Sequence, residues 1–238
     1  LKKKLLKILK ILLISSISIV CIISIVLYLS LHEKLPKGKT GSEADAFALK
    51  IQNAIKHDAY LTTQYIQWTF RNKNHYLWNK IDNHVEVRWD DYKIILDLNH
   101  PKKSIVYEHK KLITNNGKQK LITKALSNFN NDSFWVVAPH KLFDKGAIRQ
   151  LVVLEEGLKA LLITYPSGGT TPGDSYLWKV DKDYRPTSFK MWVSILPIGG
   201  IEATWGDWTT MTSGAYLSKQ HKLLGFGIPI SNLKAWNN

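Results

Sequence analysis

The chain has 238 residues, a single cysteine, and 33 Lys and Arg against 19 Asp and Glu, a formal net charge of +14. One cysteine excludes a disulfide framework and a thiolate metal cluster, and the length suffices for a domain that buries its own core. The positive surplus points to anionic headgroups or acidic polymers as neighbours, or to a solvated basic surface.

The first elements decide the compartment. The chain opens LKKKLLKILKILLISSISIVCIISIVLYLSLHEK, and residues 11–31 carry no charge. At about 1.5 Å per residue that stretch makes a helix of roughly 30 Å, the hydrocarbon thickness of a bilayer. Lys2, Lys3, Lys4, Lys7 and Lys10 precede it. Positive charge on that side predicts a cytoplasmic tail over 1–10, a transmembrane helix over 11–31, and a periplasmic remainder anchored in a bacterial inner membrane. Lys34, Lys37 and Lys39 weaken the bias without reversing it. The alternative is a cleavable signal peptide, whose apolar core runs about 7–15 residues before an A-x-A-like site. Here the run is longer, and LYLSLHEK offers no such site. A lipoprotein signal would use Cys21, but Val20 stands where a small residue is required. With the domain outside the cytoplasm, the membrane is the expected partner and nucleic acid is not.

Residues 32–41, with Pro36, Gly38 and Gly41, read as a short linker, and 42–238 as one domain. Ser42 and Asp45 have capping-box spacing, and Phe47, Ile51, Ala54 and Ile55 form one helical stripe. Period-two alternation follows. Ile66, Trp68 and Phe70 share a face, as do Tyr76 and Trp78, then Val85, Val87 and Trp89, then Ile94, Leu96 and Leu98. Polar turns between them mark an antiparallel meander with one dry face. SIVYEH adds a strand. Leu121, Ala125, Leu126 and Phe129 return to helical spacing, and NNDSFWVVAPHKLFDKG reads as a further capped, apolar segment broken by Pro139. Strands resume in RQLVVL, LKALLITY, DSYLWKV, SFKMWVSI, IEATWGDW, AYLSKQH and LLGFGIPI, joined by turn-forming connectors.

No chemistry-bearing motif emerges. The eight histidines show no H-x-x-x-H pair, so no metal is expected. Glu155 and Glu156 precede Gly157 in a turn. YPSGGTTPGDS lacks the Gly-Lys-Ser/Thr of a phosphate loop and reads as a hairpin at a rim, and no G-x-S-x-G elbow occurs. No cofactor is expected, and the chain does not read as an enzyme; a hydrolase of envelope polymers is the least implausible enzymatic version.

The order of elements, carried by ADAFALKIQNAI, by ITKALSNFNNDSFWVVAPHKLFD and by the strands from LVVLEEG to LPIGG, resembles the LolA/LolB-type lipoprotein-carrier fold. It also resembles uncharacterised membrane-anchored proteins of Bacteroidetes-type bacteria grouped with that fold. The resemblance spans about residues 44–230 and implies a mainly β, α+β architecture. Its core is a curved antiparallel half-barrel with helices on the concave side. Residue-level motifs of the classical carriers do not match, so none of their binding residues is carried over. On this frame Trp68, Phe70, Tyr76, Trp78, Trp89 and Trp178 should line an apolar cavity. Phe134, Trp135, Val137, Leu142 and Phe143 should plug it, and Arg71 and Arg88 are candidates to meet an anionic headgroup. The expected function is holding or relaying an apolar moiety, a lipid or lipoprotein acyl chain. The alternative is a structural or interaction module of the envelope with a filled core.

Overall fold

The computed structural model describes residues 2–238; position 1 of the basic tail lies outside them. The first helix, α1 (Lys2–Leu31), has its apolar side chains exposed from Leu6 to Leu31. The most apolar 18 residues within its Leu6–Leu31 stretch have mean hydropathy 2.7, the length and composition of a membrane span or a signal sequence. The helices α2 (Ser42–Ala54) and α3 (His57–Thr62) come next.

The first sheet is a meander built by the alternation read above. It comprises β1 (Tyr65–Phe70), β2 (Asn74–Asn79), β3 (His84–Trp89), β4 (Tyr92–Asp97), β5 (Ile105–Glu108) and β6 (Lys111–Leu112). Directly opposed residues share a face, and the register sets Trp68 opposite Tyr76, Tyr76 opposite Val87, and Val85 opposite Leu96. Then comes α4 (Gly117–Val137), followed by the second sheet. Its strands are β7 (Ile148–Val153), β8 (Lys159–Thr164), β9 (Ser175–Val180), β10 (Pro186–Trp192), β11 (Ile201–Thr204), β12 (Gly206–Thr210), β13 (Tyr216–Leu223) and β14 (Phe226–Ile228). The last strand, β15 (Ile230–Trp236), returns to the first sheet and pairs β1.

That return joins the two sheets. β14 pairs β13 in one sheet and β15 pairs β1 in the other, with only Pro229 between them. Pro229 has no N–H to give, but its carbonyl accepts the N–H of Arg71 at 2.8 Å. The chain therefore passes from one antiparallel sheet into the other across a single residue. A single helix, α4, packs on both inner faces. Its Ile122, Ala125, Phe129, Val136 and Val137 join the core of the first sheet, and its Phe134 and Trp135 pack on the second. A helix that touches both faces of a joined sheet sits in the hollow of a bend. The α+β, antiparallel class expected from the sequence holds.

Four local expectations need correction. Ser42 makes no side-chain cap, because Gly41 occupies the cap position and Asp45 instead accepts from Arg149 Nε at 2.5 Å. The segment at Asn130 opens no new helix; it lies inside α4, which runs unbroken into a short 3-10 turn at Ala138–His140. IEATWGDW breaks at Trp205 into β11 and β12, and the final strand β15 was not anticipated at all.

The segment 32–41 is pinned down along its length. Glu33 receives Lys190 Nζ at 2.6 Å and Trp192 Nε1 on its carbonyl at 2.7 Å, both from β10. Six residues later Lys39 exchanges backbone hydrogen bonds with Leu151 of the edge strand β7, at 2.9 and 2.8 Å. β10 and β7 are three strand spacings apart, about 14 Å, within reach of a segment extending about 20 Å. The segment therefore crosses the outer face of the second sheet, where Val152, Ala160, Leu162 and Leu177 form a small apolar cluster. Gly38 is required for this approach, since a Cβ there would stand 2.8 Å from Gln150 Cβ and 2.9 Å from the Leu151 carbonyl oxygen.

Candidate functional site

The hollow is walled by aromatic rings. On the first sheet Trp68 stacks on Tyr76 with centroids 4.5 Å apart, and Trp78 meets Phe129 of α4 edge to face at 5.2 Å. Phe70 and Trp89 are buried in the same cluster. Trp178, the sixth residue expected there, belongs to the other wall, 4.9 Å from Phe189 and 5.1 Å from Trp205. Strand parity identified the inward faces; it carried no information on which wall each strand would join.

Four of the five expected plug residues fill this space. Phe134 lies 4.4 Å from Tyr176, and Trp135 lies 5.6 Å from Phe189 and 6.2 Å from Trp205. Val137 is buried against the first wall and Leu142 against the second. Phe143 is not part of the filling. It is 39% exposed and covered by the Arg149 guanidinium at 4.3 Å, because the chain has already left the helical path after Pro139. The helical period of Ile122, Ala125 and Phe129 makes the preceding turns of α4 part of the same filling, a role the sequence reading gave only to the later segment.

The two arginines separate. Arg71 sits in the β1–β2 turn, 5.5 Å from the Phe70 ring. Arg88 points to the outer face, opposite in parity to Val87 and Trp89, and pairs with Glu86, so it cannot reach the hollow. Two cations of α4, Lys120 and Lys124, border an opening beside the first sheet. They line a groove of about 450 Å³ with Tyr92, Glu108, Ile113 and Leu121. Lys124 Nζ also lies 5.0 Å over the Trp89 ring, which joins this groove to the buried wall.

Asp132 ties α4 to the wall. Its carboxylate is buried and accepts from Tyr76 Oη at 2.5 Å, Asn74 Nδ2 at 2.8 Å and Asn131 Nδ2 at 2.8 Å. Burial raises its pKa, while these donors and Arg71 pull it down. Asp132→Ala leaves the buried Tyr76 hydroxyl without its acceptor. A loss of about 2–3 kcal/mol is expected in urea denaturation at pH 7, with Tyr76→Phe milder.

No family model matches the sequence, and no curated protein matches it. Among solved structures the chain is similar to a DUF1329 family protein from Desulfovibrio piger, known from a crystal structure at 1.75 Å resolution. The two are 14% identical over 82% of this chain and 93% of that one, with a TM-score of 0.40.

Several polar groups in the hollow lack protein partners. Among the described residues the indole N–H groups of Trp68, Trp78, Trp89, Trp178 and Trp205 find no hydrogen-bond partner, and neither does either ring nitrogen of His221. His221 packs against Trp205 at 4.2 Å and faces Trp135 at 5.8 Å. A second buried imidazole, His140, stacks on Tyr60 at 4.2 Å and meets His57 Nδ1 to Nδ1 at 3.2 Å. The chain separation of these two histidines hid the pair from any spacing rule. Among the described residues no three His, Cys, Asp or Glu side chains gather as a metal ion requires.

Proposed function

We propose that this protein is a non-enzymatic, membrane-anchored holder or relay of an apolar moiety, a lipid or a lipoprotein acyl chain. In this reading α1 is retained as a single span of a bacterial inner membrane. Its lysine-rich start faces the cytoplasm and the domain lies in the periplasm. The observation that carries the proposal is that one helix, α4, covers the aromatic inner faces of both sheets. The groove along its first half is apolar at Ile113 and Leu121 and carries two cations, Lys120 and Lys124, against one carboxylate, Glu108. That combination suits an amphiphile with an acidic head, and α4 is the element whose displacement would open the aromatic trough to its chain. The unpaired indole donors suit ester or amide carbonyls of such a guest.

The experiment is extraction of lipid from the purified full chain, with titration of a fluorescent fatty acid. Co-purifying lipid and saturable uptake, weakened by Lys120→Glu with Lys124→Glu, are expected. A protein that is free of lipid and indifferent to the probe ends this reading. It would leave the second one, an envelope structural or interaction module with a permanently filled core. The near-complete burial of Trp68, Trp89 and Trp178 favours that alternative. It predicts a specific protein partner in crosslinking and no lipid.

A further inference from the structure

The structure assigns a second membrane contact to this protein: the 193–200 loop and the 224–226 turn seat in the surface of the bilayer that α1 enters. This rests on reading α1 as a retained span. The domain is then held against the lipid in one orientation.

The geometry starts where α1 ends, at Leu31. The next residue, His32, accepts the N–H of Gly199 on its Nδ1 at 3.1 Å, and Glu33 donates its N–H to the Gly199 carbonyl at 2.9 Å. The backbones approach so closely that a Cβ on Gly200, whose φ is +83°, would stand 2.5 Å from Glu33 Cβ. The loop holding Gly199 is thus fixed within two residues of the membrane helix. Its sequence is VSILPIGG, and Ile195, 68% exposed, is at most about 13 Å of extended chain from Gly199.

A second apolar tip lies beside the first. β11 leaves this loop at Ile201 and pairs β13, with Ala203 opposite Leu223. The β13–β14 turn therefore emerges at the same end of the sheet, carrying Leu224 and Phe226, 62% and 79% exposed. Neither 193–200 nor 222–228 contains an acidic residue; at their borders Glu33 and Glu202 are paired with Lys190 and Lys179, Lys34 follows Glu33 in the chain, and Lys222 opens the second segment. Aliphatic and aromatic tips among lysines match an anionic bilayer interface, where the chains enter the acyl boundary and the ammonium groups stay at the headgroups. Trp192, whose indole already bonds Glu33, is an amphipathic ring at the same level.

The test uses the full chain in phosphatidylglycerol-containing nanodiscs. A single cysteine replaces Ile195, Phe226 or Ile81 in a Cys21→Ser background and carries an environment-sensitive fluorophore. All three sites are exposed, so folding tolerates the label. Ile81, 61% exposed, lies in the β2–β3 turn, at the end of the sheet where β15 finishes. Lipid-borne quenchers are expected to quench positions 195 and 226 several-fold more than position 81. Equal quenching at all three overturns the inference. Labelling the native Cys21 separates the two readings: deep quenching there with none at 195 and 226 leaves the anchor standing and removes the second contact. No quenching at Cys21 removes the anchor, and this proposal with it.

Discussion

Trp135→Ala is expected to lower stability by about 3 kcal/mol and to raise the binding of a fluorescent fatty acid several-fold. The stability loss follows from position. Trp135 packs against the buried clusters of both sheets, so its removal opens a gap at the seam. Truncating a buried tryptophan costs about 3–5 kcal/mol, and the lower figure applies because Trp135 is only partly buried. The gain in binding follows from chemistry, since the gap is lined by Phe189 and Trp205 and suits an acyl chain. Trp135→Phe keeps most of the filling and should fall between the two. Urea denaturation followed by circular dichroism gives the first quantity, and probe titration of the full chain gives the second. A loss of stability with unchanged probe binding would mean that α4 never leaves the trough, and the filled-core module would be the better account.

The inward strand faces were readable because a half-buried sheet imposes a period of two on its side chains. Trp68, Tyr76, Val85, Val87 and Ile94 obey that period, and the register places them on one face. The same parity puts Arg88 outside with Glu86, a placement legible in the alternation of HVEVRW. β15 was missed for a different reason. Pro229 interrupts the apolar run, and ISNLKAW buries only Leu233 and Ala235 strongly, too few to announce a strand. Asp132 was read as part of a helix start because Asn, Asp and Ser favour caps. Its role comes from Tyr76 and Asn74, more than fifty residues away. The strap over the second sheet is held by backbone hydrogen bonds at Lys39 and by Lys190 and Trp192 at Glu33, partners more than a hundred residues away that leave no local pattern to find.

Acidification from pH 7 to pH 5 is expected to cost the folded domain about 4 kcal/mol through two buried imidazoles. Burial pushes His140 down to about 3, helped by His57 and Lys80 nearby and opposed by the Tyr216 carbonyl facing its Nε2 at 3.3 Å. Burial pushes His221 down to about 4 against a weaker upward pull from the backbone at Thr204 and Ser218, neither of which makes a well-formed hydrogen bond to the ring. In the unfolded chain both titrate near 6.5. Between pH 6.5 and 4 the unfolded state therefore binds protons that the folded state refuses, so stability is complete above about pH 7 and drains away as pH falls. Each site contributes about 2 kcal/mol over those two pH units. His57, also depressed by burial, acts in the same direction, whereas Asp132, with its pKa raised, works the other way and recovers part of the loss. His221→Phe keeps the ring between Trp135 and Trp205 without a titrating group, and should remove about half of the pH dependence. Denaturation midpoints of wild type and variant at pH 7 and pH 5 decide the matter. A wild-type stability that does not change over this range, with no difference between wild type and His221→Phe, would show that the His221 ring is not held neutral in a dry interior.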